Sequence, residues 1–329
     1  EFEYKFTLGS WDREAMGPSG MVMPNHRLRV GGDVGATHEI GDFKKETREY
    51  MADWRGSGVL GTLVYWPDFP SDILGLDRHV EIWLPPGYDE NTEARYPVLY
   101  MSDGQNLFDP RIANTGVDWG VDEAVTRLVE QKLMPPIIVV GAWNTDARGR
   151  EYSPWHGAPD YARFLIEELM PRVDTEFRTL TGPDNTAVMG SSMGGLLSFY
   201  LVTNHPEVFG SCGCESTHFA LSESIVERYL RGVEAPPNPD SVPFVVRDIE
   251  AGLEAPAGAR YYFAYGTEGL DADYGAPHEI VREWLRSEGK IDGRDFVVHE
   301  YEGADHNEAS WRARIDDALV FMFGRKSHQ

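Results

Sequence analysis

From Val59 onward the chain alternates short apolar runs with stretches in which apolar residues recur every three or four positions. Continuous runs such as Ile137-Ile138-Val139-Val140 read as strands buried on both faces, and the longer periodic stretches read as helices with one apolar side. Strands are expected at about 58–66, 78–85, 97–102, 136–142, 185–190, 207–214, 259–265 and 295–301, with helices at about 120–133, 158–170, 193–204, 275–289 and 309–323. Strands and helices in alternation imply an α/β domain: a mostly parallel sheet with helices on both faces.

Residues 1–57 follow another pattern. Phe2-Glu3-Tyr4-Lys5-Phe6-Thr7-Leu8 alternates like a strand, His26-Arg27-Leu28-Arg29-Val30 reads as a second, and glycine-rich turns separate them. This predicts a short β-rich segment ahead of a domain covering 58–329. Inside that domain, the connection from Cys214 to Arg260 is too long for a simple crossover. It holds helical patterns near 222–232 and 242–253 around Pro236-Pro237-Asn238-Pro239, and is expected to form a cap over about 215–258.

Composition narrows the function. Asp and Glu outnumber Lys and Arg by 54 to 30, for a formal charge of −24. Such a surface repels nucleic acid and anionic membranes, so neither is expected as a partner. No apolar run approaches the roughly 18 residues of a membrane span, and a soluble protein is expected. The chain starts at Glu1 with no charged-then-apolar leader, which fits an exported protein whose signal has been removed as well as one that never had a signal. Cys212 and Cys214 are the only cysteines and read as small core residues.

The chemistry centres on Asn185-Thr186-Ala187-Val188-Met189-Gly190-Ser191-Ser192-Met193-Gly194-Gly195. An apolar run leads through Gly190-x-Ser192-x-Gly194 into a helical pattern, the order a nucleophile elbow requires. A serine at the apex of so sharp a turn needs glycine two residues away on each side, and the glycine spacing centres on Ser192 rather than Ser191. The following helix presents free N–H groups to a developing negative charge.

A serine hydroxyl needs a base, and the base needs an orienting acid. His306, in the turn between the last strand and the last helix, stands where the base belongs in the order Ser, Asp or Glu, His. The loop Gly266-Thr267-Glu268-Gly269-Leu270-Asp271-Ala272-Asp273 offers three carboxylates, and local chemistry does not choose among them. Met193, following the nucleophile, supplies one oxyanion donor, and Gln105, in the loop after the third strand, is the candidate for the other. Asp103, Asn106 and Asp109 in that loop lack the glycine and terminal Glu of an EF-hand, so no metal is expected there. Trp119, Trp143, Trp155, His218 and Phe219 fall on loops after strands or in the cap and are candidate pocket residues.

Together, Tyr100-Met101-Ser102-Asp103-Gly104-Gln105-Asn106-Leu107-Phe108, Trp119-Gly120-Val121-Asp122-Glu123, Arg150-Glu151-Tyr152, Gly190-x-Ser192-Met193-Gly194-Gly195, Gly266-Thr267-x-x-Leu270-Asp271 and Asp305-His306 resemble the putative-esterase family of α/β-hydrolases. Its relatives include esterase D, enterochelin esterases and feruloyl esterases, with mycolyltransferases as cousins. The resemblance covers roughly residues 60 to 325. It implies the α/β-hydrolase fold, Ser192 as nucleophile, His306 as base, Asp271 rather than Glu268 as acid, and donors at Gln105 and Met193. It also implies a small ester as substrate, sugar-linked esters included, and no cofactor. The family often has Gly before its histidine, where this chain has Asp305. Phe6-Thr7-x-Gly9-Ser10-Trp11 looks like the end of a β-sandwich module similar to starch-binding domains, here incomplete. The expectation is a serine carboxylic-ester hydrolase; the alternatives are an acyltransferase to a sugar or alcohol using the same triad, and a non-catalytic carbohydrate-binding module.

Overall fold

The apolar runs of the later chain become β1 (Thr62–Phe69), β2 (Arg78–Leu84), β3 (Val98–Ser102), β4 (Ile138–Ala142), β5 (Thr186–Ser191), β6 (Ser211–Glu215), β7 (Arg260–Gly266) and β8 (Phe296–Tyr301). In the computed structural model, which describes residues 2–4, 6, 15–16, 26–28, 38–40, 42–43, 58–223 and 241–324, they form a single eight-stranded sheet. Its order is β8-β7-β6-β5-β3-β4-β2-β1. Only the β1–β2 and β2–β4 pairings are antiparallel. This is the α/β-hydrolase architecture.

β1 begins later than its apolar pattern suggests and runs on past Pro67. It is an edge strand, where a missing N–H need not break a ladder, and its register shifts between Trp66 and Phe69 around Asp68 at φ 51°.

Strand alternation divides the core in two. Val80, Ile82, Tyr100, Val140, Val188, Cys212, Cys214 and Phe263 point to one face, while Trp83, Leu99, Met101, Val139, Met189 and Tyr262 point to the other. Cys212 and Cys214 are unpaired and fully buried, and two residues apart on one strand they share a face. α1 (Val121–Glu130) and α5 (Glu308–Phe323) cover the second face; α2 (Met193–Asn204) and α4 (Gly275–Ser287) help cover the first, as does the helical run Ala158–Glu176. That run contains a π-helical stretch at Phe164–Leu169, ending two residues before Pro171, whose missing N–H would interrupt an ordinary ladder.

α2 differs from its expected one-sided pattern. Nine of its residues are buried, from Gly194 and Leu196 round to Val202 and Thr203, so it is enclosed on nearly every side. The Ser198 hydroxyl is satisfied by donating to the Gly194 carbonyl at 2.9 Å. Each large side chain buried here, such as Phe199, contributes about 1.5–3 kcal/mol, which anchors the helix whose first turn carries the candidate nucleophile.

In the leading segment Phe2–Tyr4 pairs antiparallel with His26–Leu28, and Ala15–Met16 with Asp42–Phe43. Thr7 to Trp11, most of the helical pattern near 222–232, and the Pro236–Pro239 turn lie outside the described residues. The helical pattern near 242–253 appears as α3 (Phe244–Glu250). Among the described residues no helix is long and apolar enough to cross a membrane.

Candidate active site

Ser192 sits between the end of β5 and the start of α2 with φ 57° and ψ −118°, a conformation L-residues rarely adopt. Glycine is required on both sides. A Cβ on Gly190 would lie 2.8 Å from the backbone of Gly194 and clash with Ser102 Oγ, and one on Gly194 would meet the same hydroxyl. The turn is tied to the segment after β6: Ser192 N–H donates to the Glu215 carbonyl at 2.9 Å, and His218 N–H donates to the Ser192 carbonyl at 3.3 Å. Ser192 is half-buried, whereas Ser191 is buried at the end of β5.

His306 lies in the turn between β8 and α5. Its ring Nδ1 is 2.6 Å from Asp271 Oδ1, and it packs edge-on against Trp311 and Tyr274. Asp305, where the family often has Gly, accepts the His306 amide at 2.7 Å through Oδ1. Room for that carboxylate comes from Gly269, where any side chain would collide with it. The backbone freedom lost at 305 is thus matched by a missing side chain across the turn.

Asp271 occupies the short turn Gly269–Asp273 after β7 and is 1% exposed. Its Oδ2 accepts from Ser216 Oγ at 2.5 Å and from Gly266 N–H at 2.7 Å. Burial alone would push this carboxyl up, but the hydrogen bonds from His306, Ser216 and Gly266 outweigh it and hold Asp271 below the ordinary range. Glu268, the alternative acid, is exposed, as is Asp273. Only Asp271 of the three meets the histidine.

Gln105 is in the turn Gly104–Asn106 that follows β3, and Met193 is the first residue of α2. Amides at helix starts have no acceptor within their own helix, which leaves both N–H groups available to a ligand oxygen. The Gln105 loop is clamped from a distance. Asp103, at φ 57°, takes a bidentate pair of hydrogen bonds from Arg148, each 2.7 Å, and another from Asn144 at 2.6 Å, while its own N–H donates to Tyr152 Oη at 3.2 Å. Glu151 pairs with the buried Arg78 at 2.8 Å. In the Arg150-Glu151-Tyr152 motif, Arg150 itself is exposed and Arg148 holds the loop. Asp109 is engaged by Arg111 at 2.7 Å rather than converging with Asp103 and Asn106.

The aromatic candidates separate. Phe219 is fully buried against Phe199, Phe263 and His278, and Trp119 is 3% exposed with its ring 5.4 Å from Trp311; both are core residues rather than pocket linings. Trp143 is buried beneath the Gly104 turn. Trp155 is half-buried against α3, donating Nε1–H to Asp248 at 2.7 Å and packing 4.6 Å from Phe244. His218 stays beside Ser192, its Nδ1 hydrogen-bonded to Tyr274 Oη. Burial, then the nearness of His306 and Arg148, pushes His218 down to about 4, so its ring is neutral at pH 7.

The family described as Putative esterase matches residues 71–322. The chain belongs to that family. This esterase-family chain is 24% identical over 150 residues to the Bacillus subtilis (strain 168) protein YbbA, covering 42% of the chain and 55% of YbbA. It is 25% identical over 250 residues to an endo-1,4-beta-xylanase/feruloyl esterase of Xylanibacter ruminicola, covering 70% of the chain and 30% of that protein. The enterobactin esterase FES of Shigella flexneri, solved in the presence of enterobactin, shares the fold at a TM-score of 0.61 and 18% identity, over 80% of this chain and 58% of FES. The chain therefore spans less than two thirds of each of these three proteins.

Sequence reasoning missed Arg148, Ser216, Tyr274, Trp311 and Arg314 among the groups that hold the site in shape, and missed the role of Asp103. Signals were legible, since Asp103 and Tyr152 both lie in motifs already singled out. A further missed residue is Glu81, buried in β2 opposite Gly141 and close under the Gln105 loop. Burial pushes its carboxyl up to about 8, the Trp143 indole opposing and Asp109 adding to the rise. The folded protein therefore holds a proton on Glu81 that the unfolded chain releases near 4.5, and this contribution to stability, full below about pH 4.5, is lost as pH rises through 8. Glu81→Gln cannot ionise. Urea unfolding at several pH values should show wild type losing stability relative to Glu81→Gln by at most about 1.4 kcal/mol per pH unit across that window. A difference that does not change with pH would remove Glu81 as the cause.

Proposed function

We propose that this chain is a serine carboxylic-ester hydrolase working through an acyl-enzyme on small acyl or aryl esters, sugar-linked esters among them. The observation that carries the reading is the 2.6 Å contact between His306 Nδ1 and the ionised, buried Asp271. A carboxylate there requires the proton on Nδ1, which leaves the Nε2 lone pair free to take a proton. His306 then removes the Ser192 proton as Ser192 Oγ attacks the ester carbonyl. The oxyanion receives the Gln105 and Met193 amides, aimed from helix starts that need no reorganisation. His306 returns its proton to the leaving alcohol, and water, activated by the same ring, releases the acid. No metal or organic cofactor enters these steps.

The segment at about 215–258 is proposed to cap the acyl pocket; within it Phe244 of α3 packs on Trp155 and donates its N–H to the Leu221 carbonyl at 2.8 Å. The likeness to an endo-1,4-beta-xylanase/feruloyl esterase and to an enterobactin esterase supports feruloyl esters and enterobactin as the first compounds to try.

The test combines a fluorophosphonate probe with an ester panel run with and without an alcohol acceptor. The expected result is labelling of Ser192 and release of free acid whether or not acceptor is present. Transfer of most acyl groups to the acceptor would replace hydrolysis with acyl transfer; no labelling of a folded protein would remove both.

A further inference from the structure

Behind Asp271 lies a buried set of polar groups that the reaction above does not use. Ser216, at φ 43° just after β6, is fully buried. Its Oγ accepts from Trp311 Nε1 and from Arg314 Nη2, each at 2.9 Å. With both acceptor positions of the hydroxyl filled, its single proton has one remaining partner, Asp271 Oδ2 at 2.5 Å. Arg314, itself buried, places Nη2 3.9 Å from the same oxygen and pairs through Nε with buried Glu215 at 2.6 Å. A guanidinium charge is therefore delivered to the carboxylate through one hydroxyl whose orientation its neighbours dictate.

We propose that Ser216 and Arg314 are positioning residues that turn Asp271 Oδ1 toward His306 and draw negative charge onto Oδ2, moderating the basicity of the histidine. The proposal rests on the reading of Ser192, His306 and Asp271 as a triad. The physical argument is one of competition. Ser216 and Gly266 both donate to Oδ2, so a rotated carboxylate would break two hydrogen bonds in a buried place where neither donor has a substitute. The same two donors spread the charge that would otherwise stabilise a protonated His306 more strongly. Among the described residues, the ionisable groups facing Asp271 are His306, His218, His278 and Arg314, those facing His306 include His218, Tyr274 and Glu308, and Glu215 and Asp317 stand behind the arginine.

Ser216→Gly is the informative variant, because glycine adopts φ 43° without strain and the backbone is relieved as the hydroxyl is lost. Hydrolysis of p-nitrophenyl acetate by the folded variant is expected to show kcat lower by about tenfold to a hundredfold, the scale for groups that orient a reacting side chain, with KM within about twofold. The acidic limb of kcat/KM should move upward by roughly half to one pH unit, since His306 would pair with a more concentrated charge. Arg314→Met made together with Glu215→Gln leaves no orphaned buried ion and keeps the Ser216 hydroxyl, and should move the limb in the same direction by less. A folded Ser216→Gly enzyme with kcat within twofold of wild type, or with lowered kcat and an unmoved limb, overturns the proposal, the second result reducing Ser216 to packing. Asp271→Asn run in parallel separates the two levels: full activity there sinks the triad and the relay with it, whereas an inactive Asp271→Asn beside an unaffected Ser216→Gly sinks the relay alone.

Discussion

Ser192→Ala is expected to fold as wild type does and to lose turnover by on the order of 10⁴ or more, because the members of a triad act as a unit. Structure should survive for two reasons. The strained φ of 57° is held by contacts of the backbone with Glu215 and His218, which alanine keeps, and the Ser192 side chain makes no capping hydrogen bond to α2. Removing Oγ therefore breaks none of the hydrogen bonds that hold the turn. Only the atom proposed to attack is lost. The control is Ser191→Ala, which alters a buried position at the end of β5 and should stay active. Chromogenic ester turnover and fluorophosphonate labelling, measured on proteins with matching circular dichroism, decide the matter. An active Ser192→Ala beside an inactive Ser191→Ala would put the elbow one residue earlier.

The second large effect belongs to the acid. Asp271→Asn should cost up to roughly 10⁴ in turnover, and Glu268→Gln should remain close to wild type. The asymmetry comes from the donors already in place. Ser216 Oγ–H and Gly266 N–H both point at Oδ2, so the asparagine oxygen is held on that side and the amide NH₂ is forced toward His306. A donor facing Nδ1 drives the ring proton to Nε2, the atom that in the proposed triad accepts from Ser192. Glu268 is exposed on the same loop, where neutralising it changes little that the site can feel. Steady-state kinetics of the two purified variants are sufficient, and the reverse ranking would make Glu268 the acid.

What could be read from the chain alone was local. The strand and helix periods, the glycine spacing around Ser192 and the order of Ser192 and His306 along the chain all express constraints acting within a few residues or on backbone alone, and a linear sequence records those directly. Even there, β1 was displaced, because pairing at the sheet edge, and not the apolar pattern, set where it started and how it passed Pro67.

Tertiary structure decided which way side chains on loops faced. Glu268 and Asp271 are three residues apart in one turn with the same charge, and the contacts of Ser216 and His306, 55 and 35 positions away, draw only Asp271 inward. Trp119 and Phe219 looked like pocket aromatics because they follow strands, yet the core beneath them offered more apolar contact than a wet cleft, and they turned into it. The Asp103–Arg148 clamp and the Ser216–Arg314–Glu215 set join segments 45 to 99 positions apart. Hydrogen bonds between such distant side chains have no period and leave no local composition, so they come into being only once the sheet has brought the ends of its strands together.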